Sequence, residues 1–236
     1  MRFKLIACEV LFRELCDACV RSPHQVDPEF LPKGLHDLGG ARMAARIQES
    51  VDRAPADTYD AILLGYGLCG NGLAGVTGRG TRLVLPRAHD CIGLLMGSLE
   101  RYQVYFENNP GTFYRSTGWL ERGKDLEQLN HESLSALVAK YGEDNGRFLY
   151  EEVTRYRARY GKLAFIETGL EGGGTFLAEA ADEAREKGWA FEKLSGDLGW
   201  VRRMINGEWS IDEFVVVPPG HRIAPSYDAT LVRVED

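Results

Sequence analysis

The sequence has no apolar run that approaches the roughly 20 residues a membrane-spanning helix requires, so we expect no membrane partner. It also has no basic stretch: Lys and Arg total 28 against 35 for Asp and Glu, a net charge of −7. Because proteins that bind nucleic acid present clustered positive charge, we expect no nucleic acid partner. The first residues, MRFKLIACEV, predict a strand and lack the apolar core of a secretion signal, which favours a cytoplasmic protein.

Cysteine is scarce. The chain has five cysteines in 236 residues, and an odd number without a secretion signal argues against a disulfide framework. Thiol, metal or cluster chemistry is favoured instead. Cys16 and Cys19 form a C-x-x-C pair, but no second pair nearby could complete a zinc site, so we predict that both are core residues of a helix.

Short apolar runs alternate with amphipathic segments, which predicts an α/β fold with a doubly wound, mostly parallel sheet. The predicted strands are 3–7, 25–31, 60–65, 81–86, 162–167, 189–194 and 213–217. The predicted helices are 9–21, 39–53, 91–107, 125–140, 144–160, 175–187 and 197–206.

The charged, helix-rich stretch from Glu121 to Tyr160 interrupts this alternation. We therefore predict an N-terminal βα lobe over 1–120 that carries the three cysteines, a helical insertion over 121–160, and a C-terminal βα lobe over 161–236. The two lobes would be Rossmann-like and would face each other across a cleft; the alternative is that the insertion caps one sheet.

Three cysteines follow predicted strands: Cys8 after FKLIA, Cys69 after AILLGYGL and Cys91 after TRLVLPRAHD. Ligands of open α/β sheets bind beyond the carboxyl ends of the strands, so we expect the three thiols to converge. With His89 two residues before Cys91, the set predicts a soft-metal site. The structural alternative is that each cysteine is a small buried side chain and His89 a loop residue bonded to a carbonyl.

The spacing of the strands bears on the choice of metal. Adjacent strand tips lie about 4.8 Å apart, so three tips span about 10 Å. One zinc ion holds its thiolates about 3.8 Å from one another. A four-iron cluster accepts wider spacing, and the glycine amides of GLCGNG would stabilise its sulfides. We therefore favour a [4Fe-4S] cluster, with one iron held by His89 or open to substrate, and keep zinc as the alternative.

Two glycine-rich turns resemble each other. AILLGYGLCGNGLAG (61–75) and LAFIETGLEGGGTFLA (163–178) both place such a turn between a predicted strand and a predicted helix. The turns would offer backbone N–H groups to a small anion or a cluster. The candidate cofactor-binding residues are Gly70, Gly72, Gly172 and Gly173. The alternative is that each tight turn independently needs glycine.

The C-terminal segment carries three acids at equivalent places: Glu167 and Glu171 near the end of KLAFIET, and Asp197 before LGWVRRMING. Any of them could donate or accept a proton beside a bound substrate, and Glu167 is the strongest candidate because it directly ends a buried strand. Alternatively they are caps and solvated loop acids, with Asp197 as the helix N-cap. Glu9 and Asp90, beside two of the cysteines, are either partners of metal ligands or charges at helix starts.

The segment NPGTFYRSTGW predicts a strand bracketed by turns, with Tyr114 and Trp119 near the cleft; the alternative is ordinary core. The remaining histidines are isolated in sequence, and we assign them no chemistry. They are His24, His36, His131 and His221.

Several segments together resemble the family catalogued as domain of unknown function 1638. They are IACEVLFREL, GYGLCGNG, PRAHDCIGLLMGSLERY, NPGTFYRSTGWLE and GDLGWVRRMINGEW followed by FVVVPPGHRI. The resemblance implies that Cys8, Cys69 and Cys91 are a shared feature. Some members place His directly before the third cysteine, whereas this chain inserts Asp90. Members often resemble companions of corrinoid-dependent methyl-transfer systems, which implies a corrinoid protein or a methyltransferase as partner.

Two functions follow as expectations. In the first, the chain is a metal- or cluster-dependent enzyme, a transferase or lyase, or a methyl- or electron-transfer component that acts on a small anion in the cleft. In the second, it is a non-catalytic accessory protein whose metal is structural and which docks on a corrinoid protein or methyltransferase. An open coordination position beside a pocket would favour the first.

Overall fold

Strands and helices alternate along the computed structural model, which describes residues 1–55, 57–123, 133–228 and 230–236. The strands are β1 Arg2–Cys8, β2 Gln25–Leu31, β3 Ala61–Gly65, β4 Leu83–Pro86, β5 Thr112–Ser116, β6 Lys162–Glu167, β7 Ala190–Ser195, β8 Phe214–Val217, β9 Arg222–Pro225 and β10 Val232–Glu235. The α-helices are α1 Phe12–Arg21, α2 Gly40–Arg53, α3 Cys91–Met96, α4 Leu99–Asn108, α5 Thr117–Glu121, α6 Leu134–Tyr141, α7 Glu143–Arg157, α8 Thr175–Lys187 and α9 Gly199–Ile205. Two 3₁₀ turns span Glu9–Leu11 and Lys33–Leu38.

The central sheet has the strand order β2-β1-β3-β4-β8. Its first four strands are parallel, and β8 is antiparallel to β4. All five residues of β3 are buried, as expected for a strand covered on both faces, and this is why AILLG is apolar throughout. The predicted α/β class with a mostly parallel sheet is confirmed.

A second sheet, β5-β6-β7, is entirely parallel, and β9 and β10 form a separate antiparallel pair. One core cluster joins the two larger sheets, since it contains Phe3 of β1, Ile166 of β6 and Trp200 of α9. This shared core holds β5 beside the loops that follow β1, β3 and β4. Among the described residues, no helix has the length and apolar character that crossing a membrane requires.

The predicted strands all form, each within two residues of its predicted bounds. The helix predicted over 91–107 is divided, because Gly97 is left-handed (φ 83°) and Ser98 caps a new helix. Of the helix predicted over 125–140, the structure shows α6, while 125–132, and His131 with them, lie outside the described residues. The turn at Lys33–Leu38 and the β9–β10 pair were not predicted.

The predicted division into 1–120, 121–160 and 161–236 stays a prediction. The two sheets do not follow chain order, however. Strand β5, from the first segment, pairs with β6, and β8, from the last segment, returns to β4. Each sheet is therefore completed by a strand from a distant part of the chain.

Candidate functional site

Three neighbouring strands deliver the three cysteines to one edge of the central sheet. Cys8 is the last residue of β1, Cys69 lies in the turn after β3, and Cys91 begins α3 after β4. The segments after β3 and β4 stay paired beyond the strands: Leu68 N donates to Ala88 O at 2.9 Å and Cys69 N to His89 O at 3.0 Å. This pairing places Cys69 beside the start of α3.

The turn that carries Cys69 is left-handed over three consecutive residues, with φ of 45° at Cys69, 65° at Gly70 and 68° at Asn71. Left-handed φ is unfavourable for a side chain such as cysteine, so the surrounding structure must hold it. Gly67 contributes to this by lying against the next loop, where a Cβ would stand 2.5 Å from Asp90 Cα. The sequence GYGLCGNG thus permits a close approach that larger residues would prevent.

A cavity of about 650 Å³ opens at this edge. Its wall includes all three cysteines, residues of the Lys33–Leu38 turn, and residues of β5 and α5 from the other side. A volume of this size is typical of small-molecule sites. Tyr114 and Trp119 line the same cavity, as predicted from NPGTFYRSTGW.

Each of the three sulfurs has an N–H donor near it. The donor is the Val10 backbone for Cys8, the Gly67 and Cys91 backbones for Cys69, and the Trp119 indole for Cys91. The indole lowers the pKa of Cys91, yet Trp119 Nε1 makes no hydrogen bond of ordinary geometry with any described residue. The Tyr66 hydroxyl, close to Cys8 and Cys69, has no partner in the described ranges either.

Burial dominates the ionisation of the thiols. It raises the pKa of Cys8 to about 11 and that of Cys69 to about 12, and it raises the pKa of Cys91 well above the ordinary thiol value. The Asp90 carboxylate and the neighbouring cysteines raise the pKa of Cys69 and Cys91 further. At neutral pH the thiols therefore keep their protons until a positive charge displaces them.

Asp90 is the N-cap of α3, as the helix-start interpretation predicted. Its carboxylate accepts from Ile92 N at 2.9 Å and from the Tyr102 hydroxyl at 3.0 Å. It lies 3.6 Å from His89 Nδ1 and raises the pKa of that imidazole. The His89 side chain lines the cavity but is 63% exposed, so its role as a metal ligand stays a prediction.

The donor chemistry of this site fits a soft metal or a cluster, because three thiols share one wall and N–H groups approach their sulfurs. The side chains are not positioned for metal coordination in this structure, however. Across the described part of the chain, no group of three or more His, Cys, Asp or Glu side chains is arranged to hold a metal ion. The thiols would have to move together on binding.

The four candidate glycines divide between the two turns. Gly70 lines the cavity, and Gly72 lies in the same turn, where a Cβ would stand 2.2 Å from the sulfur of Met43. Gly172 and Gly173 have φ of 68° and 142° and precede α8. They are not among the described residues that line the cavity, so a role in anion binding there stays a prediction for them.

The three candidate acids have partners away from the cavity. Glu167 pairs with Lys193 at 3.0 Å, and Glu171 accepts from the Thr168 backbone N–H. Asp197 accepts from Gly199 N at 2.7 Å, but the N-cap of α9 is Leu198, so the predicted cap position is wrong by one residue. None of the three acids appears on the described cavity wall, and their acid–base role stays a prediction.

Several cavity residues received no role from the sequence, among them Tyr66, Lys33 and His36. Lys33 and His36 belong to the Lys33–Leu38 turn, and only the fold brings this turn to the thiols. Lys33 Nζ donates to Trp119 O at 3.2 Å, and its charge lowers the pKa of Cys8. Lys33 could have been suspected from its position two residues after the end of β2, at the same edge of the sheet.

Cys16 and Cys19 lie on α1, apart from the cavity. Cys19 packs against the main core, and burial raises its pKa to about 12. Burial also raises the pKa of Cys16. The prediction that they belong to a helix that packs on the core is consistent with this position.

The family model described as a protein of unknown function (DUF1638) matches residues 30–205, which is more than half of the chain. This chain belongs to that family. The match to DUF1638 includes Cys69 and Cys91 and begins after Cys8. No curated protein and no solved structure matches the chain. Membership in DUF1638 assigns no reaction and no corrinoid association, so these stay predictions.

Proposed function

We propose that this protein is a metal- or cluster-dependent enzyme, or a methyl- or electron-transfer component, that acts on a small anion in the cavity beside its three cysteines. Cys8, Cys69 and Cys91 are the proposed ligands. The observation that carries the proposal is the arrangement of the thiols: three adjacent strand ends bring them to one wall of a cavity of about 650 Å³.

Backbone N–H groups near two of the sulfurs support the proposal. A thiol is a poor hydrogen-bond acceptor, whereas a thiolate is a strong one. The Val10 N–H beside Cys8 and the Gly67 and Cys91 N–H groups beside Cys69 would therefore bind metal-bound thiolates more strongly than protonated thiols.

A [4Fe-4S] cluster remains the favoured cofactor and zinc the alternative. The thiols come from the end of β1, the turn after β3 and the start of α3, and no three His, Cys, Asp or Glu side chains of the described residues are arranged around an ion. A larger cluster needs less movement of the backbone than one zinc ion does. Bound there, a cluster would supply electron transfer or an open iron for substrate, and zinc would supply Lewis-acid activation.

The location of the thiols favours an enzyme over an accessory protein. A structural metal is usually enclosed by four protein ligands, whereas these thiols border a cavity large enough for a substrate. A corrinoid protein or a methyltransferase as partner is supported only by the resemblance of the sequence segments. Transferase or lyase chemistry would be consistent with either kind of metal.

Metal analysis tests the proposal directly. The protein would be purified without oxygen, and iron, zinc and sulfide would be measured together with an absorption spectrum. Cys8→Ala, Cys69→Ala and Cys91→Ala should each abolish stoichiometric metal, because each removes one ligand of the set. Cys16→Ala and Cys19→Ala are the matched controls and should retain metal. Full metal content in all three ligand variants, or none in the wild-type protein, would contradict the proposal.

A further inference from the structure

The cavity wall combines apolar surface with buried hydrogen-bond donors that find no good acceptor among the described residues. Tyr66 is 2% exposed, and its hydroxyl makes no hydrogen bond within the described chain. The Tyr114 hydroxyl likewise has no partner there, and the Trp119 indole N–H, near the Cys91 sulfur, makes no hydrogen bond of ordinary geometry with any described residue. Buried donors are rarely left without an acceptor in native proteins, so these three groups point to a ligand that brings acceptors.

Both carboxylates of the described wall already accept hydrogen bonds. Asp90 accepts from two backbone N–H groups of α3 and from the Tyr102 hydroxyl. Glu9 accepts from Lys33 N at 3.0 Å. A ligand that is itself a donor or a cation would therefore meet donors at Tyr66, Tyr114 and Trp119.

The charge of the wall favours a weakly charged oxyanion over a phosphate. Lys33 places its ammonium 5.5 Å from the centre of the Trp119 ring. Arg115 also lines the cavity, but its guanidinium binds both oxygens of Glu183, at 2.9 Å each. Phosphate sites usually present several arginines that no carboxylate holds. Arg115 is the one arginine on the described wall, and the other side-chain donors there include Lys33 and the exposed histidines His36 and His89.

Apolar side chains make up the rest of the wall. Leu35, Met43 and Leu120 line it together with the aromatic residues Tyr114 and Tyr160. Burial of an apolar group against this surface would contribute favourable binding free energy. A small, fully hydrated ion has no apolar surface to bury there.

We propose that the cavity binds a small carboxylate with an apolar body, whose carboxylate accepts from Tyr66 and Trp119 near the thiols and whose body packs on the aromatic wall. This inference deepens the proposed function, since it takes the cavity as the substrate site and names the class of substrate. Tyr66 and Trp119 would then determine which ligand binds. This role does not require either residue to take part in a reaction.

Three probes test the ligand class on the purified full-length protein at neutral pH by isothermal titration calorimetry. Benzoate has both the carboxylate and the apolar ring, acetate lacks the ring, and benzyl alcohol lacks the charge. Benzoate should bind at least about tenfold more tightly than either of the others, because each lacks one of the two recognised groups. If acetate binds as tightly as benzoate, the cavity does not recognise an apolar body. If benzyl alcohol binds as tightly as benzoate, it does not recognise a carboxylate.

Two aromatic-to-phenylalanine variants test the residues. Tyr66→Phe removes only a hydroxyl, and Trp119→Phe removes the indole N–H while it keeps an aromatic ring; each should weaken benzoate binding about tenfold. Tyr105→Phe is the matched control. Its hydroxyl donates to Glu192, its ring packs on Tyr114, and it is not on the described cavity wall, so benzoate binding should not change. Wild-type affinity in both test variants would overturn the inference.

Metal content separates this inference from the proposed function. The benzoate titration would be repeated on Cys91→Ala, and metal would be measured in every sample. If the wild-type protein holds metal and benzoate does not bind, the carboxylate inference fails and the metal proposal stands. If benzoate binds and no sample holds metal, the metal proposal fails and the inference stands. The comparison of probes on the wild-type protein decides the matter even if a variant does not fold.

Discussion

Glu14 is an ionisable residue in an unfavourable place. It lies on α1, is 1% exposed, and its Oε2 has no hydrogen-bond partner among the described residues. The Thr168 hydroxyl donates to its other oxygen at 3.0 Å. Burial raises the pKa of this carboxyl, and the charges of Glu171 and Glu121 raise it further. The charged form of Glu14 therefore opposes folding at neutral pH.

Glu14→Gln should stabilise the protein at pH 7. The amide keeps the size of the side chain and removes the buried charge, so the free energy of unfolding should rise by about 1 kcal/mol. The gain should shrink as pH falls towards the ordinary carboxyl range, since wild-type Glu14 is then protonated in the folded state. Urea unfolding at several pH values would measure both effects.

The neighbouring Glu121 supplies the control. Its carboxylate pairs with Arg13 at 2.8 Å, so Glu121→Gln removes a favourable ion pair and should not stabilise the protein. A shift of the free energy of unfolding in the same direction for Glu14→Gln and Glu121→Gln would contradict an unfavourable buried charge at Glu14.

At the scale of elements, the loops after β3 and β4 control how close the thiols come. Gly67 is buried in the first loop, and a Cβ there would stand 2.5 Å from both N and Cα of Asp90. Such a contact involves backbone atoms and cannot be relieved by rotation of a side chain. The two loops would have to separate, and the pairing of Cys69 N with His89 O would be strained.

Gly67→Ala should therefore destabilise the protein by about 1–3 kcal/mol and reduce metal binding. Gly80→Ala is the matched control, because Gly80 is exposed and a Cβ there meets nothing within 4 Å. Thermal unfolding and metal analysis of the two variants would be compared. Full stability of Gly67→Ala would show that the loops have more freedom than the structure indicates.

At the scale of the whole molecule, one buried ion pair links the second sheet to its covering helix. Arg115 of β5 binds Glu183 of α8 through two hydrogen bonds of 2.9 Å, and both side chains are almost fully buried. Burial raises the pKa of Glu183, but hydrogen bonds and charge from Arg115 and Lys187 lower it by more. The resulting pKa of the carboxyl is about 2. Glu183 therefore links the stability of the fold to pH.

The direction of the pH dependence follows from that pKa. Between the ordinary carboxyl value of 4.5 and about 2, the unfolded chain binds the proton more tightly than the folded protein. The stability that Glu183 contributes is therefore complete above pH 4.5 and is lost as pH falls towards 2. Glu183→Gln should lower the free energy of unfolding by about 3–5 kcal/mol at pH 7, because it leaves Arg115 buried without its carboxylate.

Denaturant unfolding of the wild-type protein and Glu183→Gln from pH 7 down to pH 2.5 would check this. The difference between the two should shrink through the acid range. Glu186→Gln, on the exposed side of the same helix, is the control and should follow the wild-type protein. A difference that does not change with pH would contradict the lowered pKa of Glu183.

The sequence could predict features that depend on neighbours along the chain. Apolar runs such as AILLG gave the strands, and the positions of Cys8, Cys69 and Cys91 after three of them indicated one edge of a sheet. The sequence could not predict the break at Gly97, because the surrounding segment keeps its helical pattern on both sides. It also missed the turn at Lys33–Leu38, which has no strong periodic signal.

The sequence by itself determined the class of fold and the three strand-end thiols, because hydrophobic periodicity and turn residues act over a few positions. Only the tertiary structure decided that β1, β3 and β4 are neighbours. It also decided that β5 belongs to the second sheet and that β8 pairs antiparallel with β4. It decided as well that Tyr66 and Lys33, which received no role from the sequence, lie on the cavity wall with the thiols. Strand pairing and cavity walls join residues far apart in the chain, and no local pattern records which distant partner a strand will meet.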